Sequence, residues 1–378
     1  MDINKALKLL AEKNGSELFI TVGFPPCLKV NNQLLHASSA QLTNEHVRKG
    51  LQSIMGEHRY TSFCETMESN YAFDLEDIGR FRVSAFFQKG EPGMVIRRIH
   101  TEIPTMESLG LPEVLGEKIL AKRGLILLTG SAGSGKSTSM AALVNHRNLH
   151  GKGHIITIED PIEFVHSHNN CIITQREVGL DTASYEEGLG NALRQAPNLV
   201  VIGEIRSPQV MKHTLEFVET GHLCIATMHA NSTYQAFERI IHFFPQEQHP
   251  ELLLDLSLSV NAIVGQQLIP SKDNSSVQAV HEVLLNSPRM TDLIRTGKMD
   301  EMSELIERSV DEGMQTTDHA LFKLYTKGAI SYEQAMHHAG SSNNLRLMIK
   351  MQGQPEEMKS PTNQDDDFDI DSLTVSKD

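Results

Sequence analysis

At 378 residues, with 39% hydrophobic and 22% charged content, the chain is too long for one ordinary domain and about right for two with buried cores. A formal net charge of −14 argues against a general binder of nucleic acid or anionic membrane, and no run of about 18 apolar residues offers a transmembrane helix. Cys27, Cys64, Cys171 and Cys224 are scattered with no CxxC pair, which suits a reducing cytosol and excludes a thiolate zinc module.

The opening MDINKALKLLAEKNG places Ile3, Leu7, Leu10 and Ala11 at helical spacing, with Asp2 positioned to cap. An amphipathic helix is predicted there, not a secretion signal. ELFITVG, PCLKVNNQLL, RFRVSAFFQ and GEPGMVIRRIH alternate in polarity or are rich in β-formers. Together they predict a small α+β domain over residues 1–100. A linker over 101–111 follows, marked by Pro104, with Pro112 just beyond it.

From Gly124 the pattern changes. RGLILLTG, HIITIED, LVVIGE and LCIATMH are nearly unbroken apolar runs separated by helix-length sequence. Strands without polar alternation predict a largely parallel sheet buried on both faces, in an α/β domain over 112–350. After about Leu268 the chain reads as helical. Residues 351–378 hold eight acids against two lysines and are predicted to be a disordered tail.

Gly130, Ser131, Ala132, Gly133, Ser134, Gly135, Lys136 and Ser137 match GxxxxGK[ST], between a predicted strand and a predicted helix, SMAALVNH. Glycines let successive backbone N–H groups turn inward on phosphate oxygens, and the helix adds its positive end. Lys136 reaches the β- and γ-phosphates and Ser137 ligates Mg2+; Thr138 follows them in the loop. Hydrolysis also needs carboxylates. IITIEDPIE supplies Glu159, Asp160 and Glu163, and LVVIGE supplies Glu204, all after strands whose carboxyl ends face ligands in such sheets. Glu204 is assigned to the metal side and Glu163 to the attacking water, though sequence order leaves the two roles exchangeable. His222 and His229 flank one buried strand, as γ-phosphate sensors or subunit-interface residues. Nothing near them completes a zinc set. Arg80, Arg82, Arg97 and Arg98 are basic residues that either face solvent or reach phosphate.

Taken together these motifs resemble the secretion and pilus motor ATPases, in the type IV pilus retraction branch of PilT and PilU. The resemblance covers about residues 1–345 and rests on NGSELFITVGFPPCLKVNNQL, GRFRVSAF, GSAGSGKST, TIEDPIEFVH, QREVG, ALRQAPNLVVIGEIR and TGHLCIATMHANS. It implies a PAS-like N-terminal domain joined to a RecA-like P-loop NTPase domain, and ATP with Mg2+ as cofactors. It implies a homo-hexamer in the bacterial cytoplasm at the inner-membrane base of the pilus machine. Its partners would be a PilT-like retraction motor and an inner-membrane platform protein, with no nucleic acid and no zinc. It also implies that Glu163 and Glu204 are catalytic, that His222 and His229 couple the site to its neighbours, and that Arg82, Arg97 and Arg98 approach the phosphates.

The chain departs from the family pattern at Glu17, Phe19, Asn198 and Ser207, which leaves room for weakened hydrolysis. SPRMTDLIRTGK keeps only the LIR core of a longer PilT motif, which together with the acidic tail favours the PilU side. An accessory ring that mainly transmits a partner's force is the alternative function. An assembly or type II secretion motor is a more distant one, lacking here its four-cysteine module. A GTP switch and a DNA translocator are disfavoured by the absent NKxD motif and by the acidity.

Overall fold

The computed structural model describes residues 2–30, 33–76, 78–99 and 102–352. The predicted tail therefore lies outside the described residues beyond position 352.

The predicted first helix forms as α1 (Ile3–Glu12), with the Asp2 carboxylate accepting from the Lys5 N–H. Its apolar stripe of Ile3, Leu7 and Leu10 is buried. The first sheet contains β1 (Glu17–Thr21), β2 (Cys27–Val30), β3 (Gln33–His36), β4 (Glu68–Leu75), β5 (Gly79–Gln88) and β6 (Glu91–Arg98). Its order is β3-β2-β1-β6-β5-β4, with every pair antiparallel. Helix α2 (Asn44–Thr66), kinked at Gly56, packs on this sheet. One cluster running from Ile3 to Ile96 forms the core here, including Phe63, Tyr71 and Phe81.

A second and larger cluster begins at Met106. Its sheet contains β7 (Gly124–Thr129), β8 (Gly153–Glu159), β9 (Cys171–Glu177), β10 (Leu199–Ile202), β11 (Leu223–Met228), β12 (Val260–Pro270) and β13 (Val277–Leu285). The order is β13-β12-β7-β11-β10-β8-β9, parallel throughout except for the antiparallel β12–β13 pair. Every residue of β7, β10 and β11 is buried, as their unbroken apolar runs require of strands covered on both faces. The covering helices are α3 (Val114–Ile119), α4 (Lys136–His150), α5 (Tyr185–Ala192), α6 (Pro208–Glu219), α7 (Thr233–His242) and α8 (His249–Ser259). They are followed by α9 (Pro288–Thr296), α10 (Met302–Arg308), α11 (Thr317–Thr326), α12 (Tyr332–His338) and α13 (Ser342–Gln352). An α+β sheet domain followed by a largely parallel ATPase-type sheet is the predicted fold class.

The expectation of a helical segment after Leu268 holds from α9 onwards and needs correction before it. Strand β12 continues to Pro270, and VQAVHEVLL forms β13. Val277, Val280 and Val283 repeat every three residues and mimic a helical stripe. They are β-branched, however, and the ladder to β12 decides the conformation.

Candidate active site

Where β7 ends, the phosphate loop begins. Gly133 (φ 76°) and Gly135 (φ 84°) adopt the left-handed backbone that turns amides inward. Gly130 is required for space: a Cβ there would overlap the Gln266 carbonyl oxygen and the Ser134 hydroxyl. Gln266 of β12 pins the loop from outside. Its Nε2 donates to the Ser134 carbonyl at 2.9 Å and its Oε1 accepts from the Ser139 hydroxyl at 2.8 Å. Lys136 Nζ donates to the carbonyls of Gly130 and Ser131 at 2.8 and 2.7 Å. Burial lowers the lysine pKa, and the negative charges of Glu204 and Glu163 oppose that shift. The Ser134 hydroxyl is buried without a partner. A buried ammonium and a helix N-terminus beside inward-turned amides make a receptor for an oxyanion.

Three neighbouring parallel strands end at the same rim. Strand β8 delivers the acid loop. The Glu159 carboxylate is buried and accepts from the Thr157 hydroxyl at 2.6 Å, from Gln175 Nε2 at 3.2 Å and from the Glu163 backbone N–H. Burial pushes Glu159 up to about 7, against those hydrogen bonds. Past β10 stands Glu204, whose side chain is 12% exposed. Its Oε1 lies 3.1 Å from His229 Nε2 and its Oε2 lies 2.7 Å from Arg206 Nε. Arg206 also reaches Asp160 at 3.6 Å. His229 follows β11. Lys136, Ser137, Glu163, Glu204 and His229 all line one cavity of about 300 Å3.

The chain does not bring every candidate there. His222 precedes β11 and His229 follows it, so the length of that strand, roughly 20 Å, separates them. The His222 ring meets the Phe217 ring edge-on, and its Nδ1 lies 3.0 Å from the Thr220 hydroxyl. In the first sheet, Arg97 pairs with Glu17 at 3.2 Å and Arg98 donates to Asn14 Oδ1 at 3.1 Å. Arg80 pairs with Asp74. Arg82 alone of the four reaches the second sheet, where it lies 3.9 Å from Glu177.

The departures at Asn198 and Ser207 have structural explanations. Asn198 precedes β10, at the opposite end of that strand from Glu204, and its Oδ1 accepts from the His154 N–H at 2.9 Å. Ser207 caps α6 by accepting from the Val210 N–H. An amide oxygen and a hydroxyl do there what a carboxylate would do, and neither group lines the cavity.

Sequence reading missed Gln266, Arg206, Gln175 and Glu177. Gln266 lies in no quoted motif, whereas ALRQAPNLVVIGEIR ends on Arg206 and QREVG contains Gln175 and Glu177, without spacing that marks any of the three as functional. A larger cavity, about 1040 Å3, opens on the other flank of the loop, beside Gly135, Thr138 and the buried His281. No three His, Cys, Asp or Glu residues among the described ones form a metal-holding group. A divalent cation here would therefore need phosphate oxygens alongside Ser137 and Glu204, a donor set that suits magnesium.

The family model described as Type II/IV secretion system protein matches residues 69–337. A Pseudomonas aeruginosa protein named Type IV pilus ATPase PilU is 53% identical over 93% of this chain and 92% of its own length. From the same organism, the Type IV pilus retractation ATPase PilT is 36% identical over 91% of this chain and 100% of its own. Among solved structures, the pilus retraction motor PilT with bound ADP superposes with a TM-score of 0.85 at 32% identity, covering 92% of this chain and 100% of that one. With a phosphate-binding loop, two strand-end carboxylates and this similarity along nearly its whole length, the chain belongs to the type II/IV secretion ATPases, in their type IV pilus branch.

Proposed function

We propose that the chain is a magnesium-dependent ATPase that works as a homo-hexameric ring, on the cytoplasmic side of the inner membrane, in type IV pilus retraction. The observation that carries this reading is the convergence of Lys136, Ser137, Glu163, Glu204 and His229 on one cavity. Similarity to PilU and PilT relatives supports the biological setting.

In this reading the loop amides and Lys136 hold the β- and γ-phosphates, and the base and ribose extend past Gly135 and Thr138 into the larger cavity. Ser137 and Glu204 would hold magnesium, which when bound neutralises charge between the β- and γ-phosphates. Glu163, exposed at the cavity mouth, orients and deprotonates the attacking water. His229, steadied by Glu204, contacts the γ-phosphate and reports its loss. His222, Arg97 and Arg98 would serve across subunit boundaries. A PilT-like motor and a membrane platform protein are the partners. Since Asn198 and Ser207 lie away from the cavity, they give no ground for an inactive accessory ring.

The test is ATP turnover by the full chain. Lys136→Ala should abolish hydrolysis without changing the circular dichroism spectrum, and turnover per subunit should rise with protein concentration as rings assemble. Unchanged turnover in Lys136→Ala would remove the site. In the host, loss of the chain should leave pili that extend and fail to retract; absent pili would favour an assembly motor.

A further inference from the structure

Glu177 closes β9 and is 1% exposed. Its Oε1 lies 3.9 Å from Arg82 Nη1, and its Oε2 accepts from the Ile162 N–H at 3.2 Å. One carboxylate thus lies within ion-pair distance of an arginine of the first sheet and accepts from the backbone of the acid loop, one residue before Glu163. The strand around it is fixed. Its own N–H donates to Asp181 Oδ2 at 2.9 Å, and its carbonyl accepts from the Asp181 N–H at 2.8 Å. Arg82 stands directly across the ladder from Arg97. Like charges so placed repel. Arg97 has its own counter-charge in Glu17, which leaves Glu177 as the counter-charge of Arg82.

We propose that Glu177 is a positioning residue through which the N-terminal domain sets the acid loop: Arg82 holds the carboxylate, and the carboxylate holds the Ile162 amide that fixes the approach of Glu163. This rests on the ATPase reading above and adds to it a route by which domain movement governs the reaction. When the N-terminal domain shifts, Arg82 leaves Glu177. A buried carboxylate without its cation is unfavourable, so the acid loop rearranges with it. Glu177 touches no reacting atom in this account.

The decisive measurement is hydrogen exchange on the nucleotide-free full chain, followed by mass spectrometry of the segment 160–166. Arg82→Gln should make that segment exchange about five- to twenty-fold faster while β7 and β11 keep their rates. An arginine that served only to meet phosphate would leave exchange without nucleotide unchanged, and that result overturns the proposal. Arg82 is partly exposed on the other domain, so this arm stands even where Glu177→Gln fails to fold. Where it folds, Glu177→Gln keeps an acceptor for the Ile162 amide and removes the charge. It should lower kcat about five- to twenty-fold in the natural chain, with KM nearly constant, and less than about two-fold in an Arg82→Gln background. Equal effects in both backgrounds, no effect included, overturn it as well. Failure of the exchange result leaves the ATPase reading standing. Failure of the natural chain to bind ATP would remove that reading and leave the exchange result untouched.

Discussion

Glu204 Oε1 lies 3.1 Å from His229 Nε2, across two adjacent parallel strands whose carboxyl ends deliver one residue each. Arg206 occupies the other Glu204 oxygen at 2.7 Å. The carboxylate is thus oriented before any ligand arrives. Glu204→Gln should retain ATP affinity within about three-fold while kcat falls by roughly 10²–10³. His229→Ala should cost less, and the pair should be non-additive by double-mutant cycle. A fully additive pair in steady-state kinetics would separate the two roles.

The phosphate loop depends on the missing side chain at Gly130, which faces the Gln266 carbonyl and the Ser134 hydroxyl. Gly130→Ala should weaken ATP binding at least about ten-fold by titration calorimetry. Overpacking should cost about 1–3 kcal/mol of stability. Full affinity in this variant would mean that the loop has room the geometry denies.

His281 and His166 are held neutral. Burial lowers each to about 4, against about 6.5 for an ordinary histidine. The unfolded chain then binds more protons between these values, so stability rises with pH there. It is fully present above about pH 6.5 and lost as pH falls towards 4, by roughly 2–3 kcal/mol per histidine. Denaturant midpoints measured from pH 7 to pH 4 should fall less steeply in His281→Phe. An identical slope would show that His281 titrates normally.

Glu159 has the opposite sign. Its folded pKa, about 7, exceeds the ordinary carboxyl value of 4.5, so the folded chain binds the extra proton. Stability from this group is present below about pH 4.5 and lost as pH rises to 7. Glu159→Gln should therefore stabilise the protein by about 1–3 kcal/mol at pH 8 and not at pH 5. Equal melting shifts at the two pH values would contradict the burial argument.

Sequence alone carried four strands of the second sheet, β7, β8, β10 and β11, because unbroken apolar runs have one common home, a parallel sheet covered on both faces; β9, β12 and β13 emerged only in the structure. It carried the phosphate loop, since glycine spacing and one lysine are a local requirement of backbone geometry. It carried Glu163 and Glu204 as strand-end acids. Only the tertiary structure decided which candidates meet. His222 and His229 look equivalent along the chain, yet β11 puts them at opposite ends of the sheet. Arg82 and Arg97 look equivalent on the first sheet, yet one finds its carboxylate across the domain boundary and the other within its own domain. Gln266 carries no local signal, because its partner lies more than a hundred residues away, and QREVG marks Glu177 without showing that it faces an arginine of another sheet. Most of the backbone conformation is set by neighbours in the chain, whereas the β13 ladder, the ion pairs and the loop supports are set by neighbours in space.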